Sequence, residues 1–334
     1  MTLDDDFDSF LEELQLETRQ IERMNSAEQT LSKLLRAHFG LRPEDTFLQG
    51  SYANGTAIKP PPTATDGEYD VDLVVVSAGR ADEPVDSLNT MRAALTAVGY
   101  GERIEEDPER KRPCIRLRYA PDDAGHFHVD VVPARRAVGD APLEIPCPAE
   151  RVWKESAPQE YTEWCAEQGD EFLRTVQQLK RWRDENQDAR RAIKSIVLQV
   201  LISEHMPRGE VDAHRIATTL RSISNLIARS PASPLVRNPV LPSENLAASW
   251  PADAYRDFAK VVSAAATLAE GALHEGSEGI SRGLWRELLG SDFPEAGGGS
   301  RTVVPPSPVP AKRKDHQGAP RSEWGWSSTA VPER

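Results

Sequence analysis

The chain has 334 residues, 39% of them hydrophobic and 28% charged, and a formal net charge of −13 at pH 7. That is enough for one or two domains with a sizeable core, whereas no apolar run approaches the roughly 18 residues that mark a membrane span and the acidic start MTLDDDFDSF lacks the basic region of a secretory leader. The acidic balance weighs against gripping long nucleic acid through its phosphates, and three cysteines (Cys114, Cys147, Cys165) without metal-ligand spacing indicate neither a disulfide framework nor a zinc site, so a cytoplasmic protein is expected.

Phe7, Phe10, Leu11, Leu14, Thr18 and Ile21 recur at helical spacing, followed by Leu31, Leu34, Leu35 and His38 up to Gly40, which predicts one long helix or two. If the segment breaks, Ser26 with Gln29 offers a capping box. After Phe47-Leu48 a short strand ends at Gln49, Gly50 and Ser51, in a turn whose backbone N–H groups and serine hydroxyl can meet a phosphate. In EYDVDLVVV, Val71, Leu73 and Val75 alternate with Asp70 and Asp72, so a strand projects both carboxylates from one face. Such a pair is costly unless a cation or a shared proton relieves it, and Mg²⁺ is the simplest remedy.

A helix is expected near Asp86 to Val98, and the charged EEDPERKR reads as a loop. CIRLRY, the turn residues PDDAGH and the alternating FHVDVV follow at hairpin spacing and bring a third acid, Asp130, onto a neighbouring strand. Arg116 and Arg118 alternate beside it, placed either to reach a phosphate or base or to lie in solvent. His126 and His128 flank the strand with no nucleophile to pair with and receive no role. Three carboxylates on adjacent strands suit two-metal phosphoryl transfer, in which ions about 3.5–4 Å apart clamp the attacking and leaving oxygens.

Arg135 to Pro158 is rich in proline and without periodicity, and reads as a crossover into a purely helical half. Apolar stripes of period 3.6 mark helices at Phe172, Val176 and Leu179; at Ile193, Ile196, Val197, Val200 and Leu201, ended by Pro207; and at Ile216, Leu220, Ile223 and Ile227. A long helix starting at Pro251 carries Tyr255, Phe258, Val262, Ala265 and Ala269, and Ile280, Leu284 and Leu288 close the bundle. The NPVLPSEN loop is read as structural. Beyond Pro294 the chain is too rich in Gly, Pro and Ser to pack, and disorder is expected. The expected division is 1–150 for the N-terminal helix and catalytic core, 151–294 for a helical domain and 295–334 for a tail.

Gly50-Ser51, Asp70-x-Asp72 and Asp130 resemble the signature of the DNA polymerase β-type nucleotidyltransferases. The fuller QGSYANGTAIKP and YDVDLVVV are similar to one branch, the bacterial CD-NTases (cGAS/DncV-like nucleotidyltransferases with a SMODS domain) of CBASS antiphage defence. The resemblance covers about residues 5 to 290 and is sharpest at 48 to 76, although PPPTATDG makes the intervening loop longer than is usual. It implies an α/β (α+β) fold: a mixed-sheet nucleotidyltransferase core and a C-terminal helical bundle, with the active site in the cleft between them. It also implies two Mg²⁺ ions, or Mn²⁺ in their place, on the catalytic Asp70, Asp72 and Asp130, with nucleotide bound by Gln49, Gly50 and Ser51.

By the same resemblance Lys180, closely followed by Trp182, faces the triphosphate, and Lys194 with Ser195 contacts nucleotide from the start of the next helix. Ile196 stands where relatives often carry a base-stacking aromatic, so base preference does not carry over. The implied reaction turns NTPs such as ATP and GTP into a cyclic di- or trinucleotide acting on a separate effector, with ubiquitin-like conjugation machinery as a candidate partner of the tail. Two alternatives stay open: transfer of nucleotides to RNA or AMP to a protein, and a nucleotide-binding scaffold without catalysis. The acidic charge weighs against RNA, and the intact acid triad weighs against the scaffold.

Overall fold

A computed structural model of the chain describes residues 1–62, 68–77, 83–108, 112–123, 125–137 and 142–295. They belong to one compact unit, Met1–Gly297; the expected tail, and most of the lengthened loop before Asp70, lie outside the described residues.

The chain opens with two helices, α1 (Asp4–Leu14) and α2 (Thr18–Phe39). The break falls at residues 15–17, not at Ser26, because Glu17 and Gln20 form the capping box: the Glu17 N–H donates to Gln20 Oε1 at 2.9 Å. Ser26 lies inside α2, whose buried Met24, Ala27, Leu31 and Leu35 form an unbroken stripe that continues the helix. Asp4, Asp5 and Asp6 occupy the first turn of α1, where the helix dipole favours negative charge. Its apolar face turns away from the sheet. Phe7 meets Trp285 and Phe293 edge-on, with ring centroids 5.1 Å apart in each case, so α1 is part of the helical half's core.

Among the described residues six strands form the sheet: β1 (Thr46–Gln49), β2 (Glu68–Val76), β3 (Ile115–Asp122), β4 (Gly125–Arg136), β5 (Leu143–Cys147) and β6 (Val152–Ser156). Their order is β1-β2-β4-β5-β6, with β3 also beside β4; β2 and β4 run parallel and every other pairing is antiparallel. Between them lie a single turn, α3 (Gly50–Ala53), and α4 (Pro84–Ala97). The stretch expected as an irregular crossover therefore holds the β5–β6 hairpin. Among the described residues it joins the sheet only through the end of β4, at Arg135↔Glu144 and Arg136↔Leu143, so neither face is fully buried and no alternation marks it in the sequence.

One face of the sheet is a closed apolar layer. Val71, Leu73 and Val75 of β2 and Phe127, Val129 and Val131 of β4 pack there with Leu31 and Leu35 of α2 and Met91 and Leu95 of α4. The opposite face is apolar only at one end, around Val74, Val76, Val132 and Ala134, and charged at the other.

The second half comprises α5 (Pro158–Glu167), α6 (Asp170–Glu185), α7 (Gln187–Ala192), α8 (Ser195–His205), α9 (Asp212–Arg229), α10 (Ala252–His274) and α11 (Glu278–Leu289). Pro251 caps α10, as its missing N–H allows. On α11 the buried stripe is Ser281, Trp285, Leu288 and Leu289, while Ile280 is 56% exposed, so the helix is rotated from the stripe expected. Asn238 and Asn245 hold the loop before α10 by accepting from the N–H groups of Val240 and Leu241, and of Val236 and Ala247.

Candidate active site

Strand register arranges the charged face in rows. Arg116 lies opposite Asp130, Asp130 opposite Asp72, and Asp72 opposite Gln49, across β3, β4, β2 and β1. In the next row Arg118 faces His128 and His128 faces Asp70. The period of two along each strand thus brings Asp70, Asp72 and Asp130 together, as the sequence predicted.

Asp130 is gripped by Arg116. Its Oδ1 accepts from Nε and its Oδ2 from Nη2, both at 2.8 Å, and its side chain is only 9% exposed. That hydrogen bond raises the Arg116 guanidinium above its ordinary range. Asp72 fares differently. Burial, followed by the neighbouring Asp70 and Asp130 charges, pushes its carboxyl up to about 8, against a smaller opposing effect of Arg116. Negative charge there is not fully compensated.

His128, which received no role from its place in the sequence, sits inside the cluster. Its Nδ1 lies 3.1 Å from Glu68 Oε2, and its Nε2 lies 3.9 Å from Asp70 Oδ2 and 4.0 Å from Asp130 Oδ2. Both ring nitrogens are buried and neither makes an aligned hydrogen bond among the described residues. The available signal was its position two residues before Asp130 on a strand, hence on the same face. Arg118 ties the outer row down by pairing with Glu68 and Glu105.

The Gly-Ser turn closes over Asp72. Gly50 has φ +75°, and a Cβ built on it would stand 2.1 Å from Asp72 Oδ2, so only glycine lets the backbone pass here. Ser51 is the second residue of the single turn α3, and its carbonyl accepts from the Thr56 N–H at 2.9 Å.

Helix α6 holds the loop that follows. Gln177 Nε2 donates to the Gly55 carbonyl (3.1 Å), Lys180 Nζ to that of Thr56 (2.7 Å) and Arg181 Nη2 to that of Lys59 (2.9 Å). Residues 177, 180 and 181 share a helix face by spacing. Only Lys180 was singled out from the sequence; Gln177 and Arg181 have no motif to mark them. Burial lowers the Lys180 ammonium to about 8, assisted by Arg183 and opposed by Asp184 and Asp70, which places Lys180 within electrostatic reach of the acid cluster. Lys194 caps α8 with its Nζ 3.5 Å from Ser249 Oγ, and Ser195 Oγ accepts from Gln199 Nε2 at 3.2 Å.

Three carboxylates on one face with excess negative charge are, by donor type, suited to a hard divalent cation. Among the described residues, however, no three His, Cys, Asp or Glu side chains stand converged as a metal-ligand group, and both oxygens of Asp130 are turned to Arg116. No helix among the described residues is long and apolar enough to cross a membrane.

A curated cyclic AMP-AMP-AMP synthase of Acinetobacter sp. is 27% identical over 310 residues, covering 89% of this chain and 87% of its own. The solved CD-NTase CdnG of Bradyrhizobium diazoefficiens in complex with GTP superposes with a TM-score of 0.67 at 19% identity, covering 85% of this chain and 94% of that one. The CdnC:HORMA-deltaN complex of E. coli MS115-1 gives 0.66 at 14% identity, covering 88% and 99%. At such identities the two structures establish the likeness of fold alone, a mixed sheet with helices followed by a helical half. The model of the Second Messenger Oligonucleotide or Dinucleotide Synthetase domain, SMODS, matches residues 1–169, just over half of the sequence. The chain is a nucleotidyltransferase of the SMODS family.

Proposed function

We propose that this enzyme joins nucleoside triphosphates into a cyclic oligonucleotide second messenger. A ribose hydroxyl of one NTP attacks the α-phosphorus of another. The bond from that phosphorus to the bridging oxygen breaks and pyrophosphate leaves. A second turn in the same site closes a cyclic di- or trinucleotide. The observation that carries this reading is the row Asp130, Asp72 and Gln49 running into the Gly50-Ser51 turn, with Asp70 in the adjacent row.

Two divalent cations, Mg²⁺ or Mn²⁺, bound by Asp70, Asp72 and Asp130 would supply charge neutralisation and activation of the hydroxyl. The residues do the rest. Backbone N–H groups at Gly50 and Ser51, with the Ser51 hydroxyl, donate to phosphate oxygens beside Gln49. Asp130 draws the proton from the attacking hydroxyl. Lys180, anchored on the Thr56 carbonyl, sets a cation toward the charge that builds on pyrophosphate. Lys194 and Ser195 meet the second nucleotide from α8. The site then lies in the cleft between a core of residues 1–150 and the helical residues 151–294, with α1 packed on the latter.

Family membership and the relative named a cyclic AMP-AMP-AMP synthase support a cyclic product. That product acts on a separate effector in CBASS-type antiphage defence in the cytoplasm, and the tail is a candidate for conjugation. The test is to incubate the protein with all four NTPs and Mg²⁺ or Mn²⁺ beside an Asp70→Asn/Asp72→Asn control, and to resolve phosphatase-resistant products by mass spectrometry. A cyclic product from the wild type alone is expected. A product made only when RNA or a protein acceptor is added would replace this reading.

A further inference from the structure

The least expected feature of the site is the two-pronged grip of Arg116 on Asp130. We infer that Arg116 is a positioning residue that stands in for the cation on Asp130, and yields that carboxylate when a divalent ion arrives. The third ligand of the site is thus assembled by exchange. This rests on the reading of the acid cluster as the metal site of the reaction proposed above.

Three observations carry it. Both oxygens of Asp130 accept from one guanidinium at 2.8 Å, so the groups a metal would bind are taken. Three carboxylates share the face, yet no three donors stand converged as a ligand group among the described residues. Asp70 and Asp72 have no ion pair with arginine or lysine among the described residues, so the arginine counter-ion is placed on one acid of the three.

The exchange needs no backbone movement. Arg116 and Asp130 are fixed opposite each other in the β3–β4 register, while the Arg116 side chain keeps 22% exposure. Guanidinium stays charged at any working pH. Release is therefore by competition between two cations and not by deprotonation. A fork that occupies both oxygens competes fully, whereas a lysine, a point charge, leaves one oxygen free.

The test is Mn²⁺ alone, titrated at fixed pH and followed by electron paramagnetic resonance of the free ion, on wild type, R116Q, R116K, D130N, R116Q/D130N and R116K/D130N. R116Q is expected to tighten the Mn²⁺ Kd about tenfold, the worth of a charge-assisted bond. R116K, which keeps the charge but not the fork, tightens it several-fold, and either gain vanishes in the D130N background. An unchanged or weaker Kd in R116Q would show that Arg116 supports the cluster without competing for it. A gain that persists without Asp130, or is absent in R116K, would reduce the effect to general charge and overturn the exchange. Circular dichroism checks the fold; should R116Q fail to fold, R116K with its D130N pair makes the same comparison. If wild type binds no better than Asp70→Asn/Asp72→Asn, the metal-site reading itself fails and the inference falls with it. If that difference is present while the Arg116 variants leave Kd unmoved, only the inference falls.

Discussion

Replacing Gly50 with alanine tests the site at its tightest point. The added methyl would lie 2.1 Å from Asp72 Oδ2 and 3.1 Å from Cγ, whereas unstrained contacts between heavy atoms sit near 3.5 Å. The carboxylate oxygen must retreat by about 1 Å or more, and a displacement of that size at reacting groups costs roughly a hundredfold in rate. Separately, alanine at φ +75° costs about 1–2 kcal/mol of backbone strain. Gly40→Ala isolates this second effect, since Gly40 has φ +67° and no described residue lies within 4 Å of an added Cβ. Both variants should melt a few degrees below wild type by scanning fluorimetry. Only Gly50→Ala should lose about a hundredfold in kcat, read as initial pyrophosphate release at saturating NTP and metal. A Gly50→Ala enzyme within threefold of wild type, or a Gly40→Ala enzyme equally impaired, would refute the claim that glycine is required by the Asp72 carboxylate.

Two further perturbations follow from the buried charges. Asp72 holds its proton in the native state up to about 8, whereas unfolded it loses it near 3.9; the native state binds more protons between those values, so stability falls as pH rises through that window. Asp72→Asn removes the slope, and its Tm advantage over wild type in metal-free buffer should grow from pH 5 to pH 8; a constant or shrinking difference would contradict the raised pKa. Lys180 is lowered to about 8, so its own linkage runs the other way, with stability rising from about 8 toward the unfolded value near 10.4, clear of the window used for Asp72. Lys180→Met should cut turnover about a hundredfold with an unchanged far-UV spectrum, and retention of more than a third of wild-type turnover would exclude a role on the leaving group.

The fold was legible where one face of an element is buried and the other is not. β2 shows this best: Val71, Leu73 and Val75 are buried on the closed layer while Asp70 and Asp72 stay partly open, and the period of two is plain in the letters. The same logic made α6, α9 and α10 readable. It failed for β5 and β6, which hang from two residues of β4 and bury no continuous face, and for α11, where Trp285 outweighs the apparent stripe through Ile280. The destination of α1 was also hidden. Phe7 and Phe10 announce an apolar face but not which core receives it, because their partners Trp285 and Phe293 lie far along the chain.

The acids of the site could be read singly because a carboxylate on an apolar strand is conspicuous, whereas their partners are ordinary residues whose meaning depends on register. Arg116 reads equally well as a solvated strand residue until the pairing Arg116↔Asp130 turns it onto a carboxylate. His128 shares the face of Asp130 by its spacing, but it meets Asp70 only through His128↔Asp70, a parallel pairing between segments nearly sixty residues apart. Gln177 and Arg181 acquire a purpose only when the carbonyls of Gly55 and Lys59 arrive beneath α6. Each is a polar group whose role is set by where another strand or loop ends. A period along one segment reports its own faces, and a site built across four strands and a helix adds relations that no single segment encodes. The balance of charge belongs to that second class: one strand gives two acids, but that the third is already neutralised by an arginine, and therefore must be won by a competing cation, follows only from the assembled sheet.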